Sequence, residues 1–251
     1  MKKILTLLLL FPAFAAAEAP KYAPVDGAVA VPLSQDNAYF RTAGNPAYDY
    51  WGLAAFYIPQ RNGASCSSAS AAMALNALLN ARRKRGDADE NITEAAMVEK
   101  VSGVKWKALA GEEGLEGRHG LTLDQLAAAA REALAAYGGP GFSVSAVKVE
   151  DTSLAALEAF RRALAANERG PDDIMLLHFT QDALTGAPGG PYAHISPVGA
   201  YDEKTRRVLI FDVDRQWYEP YWAADVQVLK AMSLKTKAFG NGGYAVLKRG
   251  K

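Results

Sequence analysis

The 251-residue sequence has one cysteine, Cys66. A single thiol cannot close an internal disulfide, so the fold rests on a buried core rather than on covalent bridges. Histidine is almost as scarce, with only His119, His178 and His194. One Cys and three scattered His show no C-x-x-C or H-x-x-x-H spacing, which argues against a resident metal. Neither sign of charge is in excess. With 28 Lys and Arg against 27 Asp and Glu, nucleic acid and anionic lipid are poor partners. No apolar run is long enough to span a bilayer, so no membrane span is expected. The glycine-rich "GAPGG" and "GNGG" lack the strand–loop–helix context with a following Lys that a phosphate cradle needs.

The first residues are informative. Lys2 and Lys3 precede an apolar stretch from Ile4 to Phe14, and Ala15, Ala16 and Ala17 follow. This pattern reads as a secretory signal peptide over residues 1–17, cleaved after Ala17. The expected mature chain, residues 18–251, has the length of one domain and a periplasmic or secreted location. Without Lys2 and Lys3 its charge balance is 26 to 27. An unpaired thiol is open to oxidation in such a compartment. It makes sense there only if it is buried and inert, or if it is used.

Helical signals dominate the first two thirds. Residues 18 to about 50 show no period and read as an irregular segment packed along the domain. A helix is expected from about Ser65 to Arg85, closed by "ARRKRG" and Gly86. "NITEAAMVEKV" reads as a short helix. In "LTLDQLAAAAREALAAYGG", Thr122 and Gln125 form a capping box and Gly138 ends the helix. "SLAALEAFRRALAAN" places Leu154, Leu157, Phe160 and Leu164 on one stripe. Strands are expected at "FSVSAVKVE", "DIMLLHFT", "AHISPVGAYD", "RVLIFDVD" and "GGYAVLKR", with "DEKTRR" as a hairpin loop. Helices first and strands later give an α+β fold.

Cys66 follows the turn residues Pro59, Asn62 and Gly63 and opens the Ser- and Ala-rich helix. There the helix dipole and unpaired N–H groups favour the nucleophilic thiolate. An adjacent imidazole would complete the activation. His178 lies inside an apolar strand and reads as a core histidine, and His119 as a loop residue. His194 starts a strand after a flexible loop and is the candidate base. Asp212, in the strand across the hairpin, is the candidate partner that orients the imidazole. Asp214 is the alternative, nearer the strand end. Gln60, six residues before Cys66, is placed to supply an oxyanion donor together with the Cys66 N–H. Taken singly, each of these residues has a structural explanation; a lone Cys is most often a small buried hydrophobe.

Together they resemble the phytochelatin synthase family of papain-like cysteine transpeptidases. The likeness is carried by Gln-x5-Cys opening "S-x-A-M-A-L-N-A-L", by "H-I-S-P-V-G-A-Y" and by "L-I-F-D-V-D-R-Q-W-Y-E-P-Y-W". It covers roughly Tyr57 to Leu247. The resemblance implies a papain-like fold, Cys66 as nucleophile, His194 as base, Asp212 as orienting carboxylate and Gln60 as oxyanion donor. It also places Arg215 on a family arginine, as a substrate-binding residue. The implied substrate is glutathione, cleaved at its Cys–Gly bond through a thioester to give γ-glutamylcysteine or phytochelatin-type oligomers. No cofactor is required on this reading. Stimulation by heavy-metal–glutathione thiolates is left open, as is a homodimer. Ser67 and Ala193 stand where the family has glycine, and no cysteine-rich tail follows. Two other classes compete. One is a papain-like peptidase or amidase acting on another periplasmic peptide. The other is a binding module in which Cys66 is inert.

Overall fold

A computed structural model describes residues 20–80 and 91–250. The expected signal peptide and the expected helix stop at "ARRKRG" lie outside these residues. The chain begins with β1 (Val31–Pro32), α1 (Ala38–Arg41), α2 (Tyr48–Ala54) and α3 (Cys66–Asn80). Then come α4 (Glu94–Lys100), α5 (Trp106–Leu109), α6 (Leu123–Gly138), β2 (Phe142–Lys148) and α7 (Leu154–Asn167). The last third holds β3 (Asp173–Thr180), α8 (Asp182–Thr185), β4 (Ala193–Asp202), β5 (Arg207–Ile210), β6 (Tyr221–Ala224), α9 (Asp225–Ser233) and β7 (Gly243–Arg249). The strands form one sheet in the order β1-β6-β5-β4-β3-β7-β2. Every neighbouring pair is antiparallel. The α+β expectation therefore holds.

Local chemistry accounts for several elements. Thr122 and Gln125 make the reciprocal capping box that starts α6, and Thr93 and Ser153 cap α4 and α7 through their hydroxyls. Two expectations need correction. Leu154 does not join the apolar stripe of α7; it lies in the first turn, past the edge of the core, and is 73% exposed, while Phe160 and Leu164 are buried. The "RVLIFDVD" strand ends at Ile210, just past the register shift with β4, and Asp212 follows it in the next segment. The N-terminal segment is also less irregular than its sequence suggests, since it contains β1, α1 and α2.

β3 is buried along its whole length. Its Ile174 and Leu176 pack with α3, α4, α5 and α6, whereas Met175, Leu177 and Phe179 pack with α7 and α9. Helix α3 is itself enclosed. Only Ala77 and Asn80 reach solvent, and Ala69, Ala71, Ala72 and Ala74 are fully buried. Small side chains let its neighbours approach closely, as a helix surrounded on all sides requires. The Ser70 hydroxyl donates to the Ile195 carbonyl at 2.9 Å, tying the start of this helix to the start of β4. Ser70→Ala would leave that carbonyl buried and unpaired. A loss of about 1–2 kcal/mol in a urea unfolding measurement is expected; an unchanged midpoint would show the tie to be dispensable.

Candidate active site

The turn before α3 is stitched by its own side chains. Ser65 Oγ accepts from the N–H groups of Arg61 (2.8 Å) and Asn62 (3.2 Å), and Asn62 Oδ1 accepts from Ala64 N–H at 2.8 Å. Glu94, buried at the start of α4, accepts from Arg61 Nε at 3.1 Å and from Ser68 Oγ at 2.7 Å. Cys66 is thereby held at the N-terminus of α3, where the dipole favours negative charge on sulfur. Ser67 turns inward and accepts from Trp106 Nε1 at 2.9 Å, so the hydroxyl that replaces a family glycine is used in packing. Ala193, the other replacement, is half-buried and pairs with Thr180 in the ladder.

The bulge in β4 decides which way Asp212 faces. The register of β4 with β5 shifts between Val198 and Ala200. Phe211 N–H then bonds the Pro197 carbonyl at 2.8 Å, which brings Asp212 opposite Ser196. Ser196 and His194 are two residues apart on one strand and share a face. Without the extra residue, Asp212 would oppose Pro197 and point to the other face. With it, His194 Nε2 and Asp212 Oδ1 meet at 2.9 Å.

The two segments that carry the pair are clamped from several sides. Tyr57 OH donates to the Asp212 carbonyl at 3.0 Å, and Gln60 N–H donates to the Val213 carbonyl at 2.8 Å. Asp212 Oδ1 also accepts from Asp214 N–H at 2.8 Å, and Oδ2 accepts from Gln181 Nε2 at 3.0 Å. Ser196 Oγ lies 2.9 Å from His194 Nε2, and the Phe179 ring stands edge-on to the imidazole at 5.6 Å. Cys66, His194 and Asp212 are 6%, 5% and 0% exposed, respectively.

Burial works against charge at this site, and neighbouring groups override it. Desolvation pushes the His194 imidazolium down. The charge and hydrogen bond of Asp212, together with a hydrogen bond and charge from Cys66, outweigh it and hold the ring well above its usual value. Desolvation likewise pushes Asp212 up. The His194 imidazolium, the Asp214 N–H and the Gln181 amide more than reverse that, leaving the carboxyl below the ordinary carboxylate range. A charged imidazolium–carboxylate pair is the state these forces favour. His178 behaves oppositely. Buried, and bonded only to the Leu121 backbone, its pKa is pushed down to about 4, as expected of a core histidine. His119 is a loop residue near the Gly111 carbonyl.

Of the residues singled out by sequence, Cys66, His194, Asp212 and Gln60 converge. The Gln60 side chain hydrogen-bonds Asp214, and its Oε1 is buried without a partner. Asp214 is half-buried, less enclosed than Asp212. Arg215 lies on the surface, where its charge reaches Tyr57. Gln181, Tyr57 and Ser196 were not anticipated. Ser196 had a signal, because H-x-S in a strand puts both side chains on one face. Gln181 had none.

A cysteine on the first turn of an enclosed helix, facing a histidine–carboxylate pair on an antiparallel sheet, is the arrangement of papain-like folds. Within that class the chain belongs to the phytochelatin synthase family, whose family model matches residues 26–244. This is an enzyme family of γ-glutamylcysteine transferases with glutathione as substrate. A search of curated proteins found no match. Among the described residues no helix is long and apolar enough to cross a membrane.

Proposed function

We propose that the protein cleaves glycine from glutathione through a thioester on Cys66. The observation that carries this reading is the His194–Asp212 pair at 2.9 Å, with Cys66 at the N-terminus of α3 close enough to act on the same ring, in a chain of this family. The Cys66 thiolate attacks the carbonyl carbon of the Cys–Gly bond. The Gln60 side-chain amide and the Cys66 N–H are the donors for the developing oxyanion. Collapse of the tetrahedral intermediate breaks the C–N bond, and His194 gives its proton to the departing glycine amine. Asp212 keeps the ring oriented and charged until then. Nε2 is held by Asp212, so Nδ1 is the nitrogen that serves the sulfur and the leaving group.

The γ-glutamylcysteinyl thioester is then resolved by an attacking group whose proton returns to His194. Water yields γ-glutamylcysteine; the amine of a second glutathione yields a longer γ-glutamylcysteine oligomer. Hydrolysis is the dominant route on our reading. Arg215, on the surface beside this segment, is the partner for a substrate carboxylate. No resident cofactor is required on this reading. The leader at residues 1–17 directs the chain to the periplasm or outside the cell, and residues 18–251 act as one domain. Incubating the purified protein with glutathione and measuring glycine, γ-glutamylcysteine and oligomers tests the whole scheme. Glycine and γ-glutamylcysteine in equal amounts are expected. No glycine from wild-type protein would overturn the substrate assignment in favour of another peptide or amide.

A further inference from the structure

Gln181 follows the last residue of β3 and bonds both the carboxylate of the pair and the main chain that leads into His194. Its backbone N–H donates to the Tyr192 carbonyl at 2.8 Å, continuing the β3–β4 ladder two residues before His194. Its side-chain Nε2 donates to Asp212 Oδ2 at 3.0 Å. Its own carbonyl accepts from Leu184 and Thr185 N–H, each at 3.0 Å, and from Thr185 Oγ1 at 3.1 Å. The residue is buried and anchored from three directions.

We propose that Gln181 is a positioning residue that sets the separation and orientation of His194 and Asp212. Its main chain grips the segment entering His194, and its side chain grips the carboxylate oxygen that His194 leaves free. Asp212 Oδ1 already serves His194 and the Asp214 N–H. Without a donor on Oδ2, the carboxylate is free to turn about its Cβ–Cγ bond and weaken the bond to Nε2. The imidazolium then loses support, and with it the thiolate it balances. The inference rests on the reading of Cys66 and His194 as a reactive pair, but not on glutathione as the substrate.

The other titratable groups near the pair do not mimic this effect. His178 lies on the neighbouring strand and stays neutral above about 4. Tyr22, Tyr57 and Tyr221 are all raised by burial and by the Asp212 charge and stay neutral through the range tested. Asp214 is raised by burial and is present unchanged in every variant.

The test is the pH dependence of Cys66 alkylation by iodoacetamide, which needs no substrate. An imidazolium-balanced thiolate reacts well even near pH 5.5, whereas an unsupported thiol reacts only as it ionises at higher pH. Wild type is expected to keep its acid-side rate. Gln181→Met, of similar volume but without a donor, is expected to lose about tenfold or more near pH 5.5 while matching wild type near pH 10. Gln181→Glu, protonated in the acid range beside Asp212, donates through its O–H and is expected to keep the acid-side rate. A Met variant with an unchanged profile, or one slowed equally at every pH, would overturn the proposal. So would a Glu variant that loses the acid-side rate, which also decides the matter if the Met variant does not fold. Glycine release by the same wild-type preparation reports separately on the glutathione reading.

Discussion

Cys66→Ala is expected to release no measurable glycine from glutathione, a fall of at least about 10⁴-fold in kcat. The size of the effect follows from the arrangement. Cys66 is the only thiol in the chain, so no second sulfur can take over. His194 is tuned as an imidazolium, an acid, and is a poor base for activating water directly on an amide. The fold should tolerate the change. Cys66 is a small side chain at the start of α3, and the turn before it is held by Ser65, Asn62 and Glu94 rather than by sulfur. A thermal midpoint within a few degrees of wild type is expected beside the lost activity. Glycine release persisting in Cys66→Ala would remove the thioester mechanism outright.

Asp212→Asn should cost about 10³- to 10⁴-fold in kcat with little change in KM, judged by other catalytic dyads in which the carboxylate fixes a histidine. An amide cannot offer two acceptor oxygens to Nε2, the Asp214 N–H and the Gln181 amide at once. It also cannot balance a buried imidazolium, so His194 should stay neutral. Stability carries a second signature. Asp212 is depressed in the folded state, so its contribution is present above its unfolded pKa of about 3.9 and is lost as pH falls through the folded value. His194 is raised, so its contribution is full below about 6.5 and is lost as pH rises through its folded value. Both contributions are present together from about pH 4 to 6.5, and the variant's stability deficit should be largest there. A deficit independent of pH in urea titrations would mean that the pair is not charged in the folded protein.

What was legible in the sequence had local causes. Thr122 and Gln125 meet because three residues of helix place them together. The Cys66 turn is fixed by Asn and Ser within a few residues of one another. The five anticipated strands are runs of apolar and β-branched residues. Other elements carried weak local signals. β6 has four residues and leads straight into α9, whose first turn has no side-chain cap, so no punctuation separates strand from helix. Leu154 satisfied the helical period yet lies past the edge of the core.

The sequence by itself determined the inventory: one thiol at a helix start, one histidine at the start of a strand beside a glycine-rich loop, one aspartate in an apolar setting, and a family likeness that ordered them. Only the tertiary structure decided that they face one another. The direction of Asp212 depends on a one-residue bulge at Gly199, and a period of two turns any single-residue shift into a change of face. The hold on the pair depends on Gln181, which no pattern within its own segment marks, because the partners that matter, Tyr192 and Asp212, lie in segments distant along the chain. Such contacts exist only once the sheet has closed.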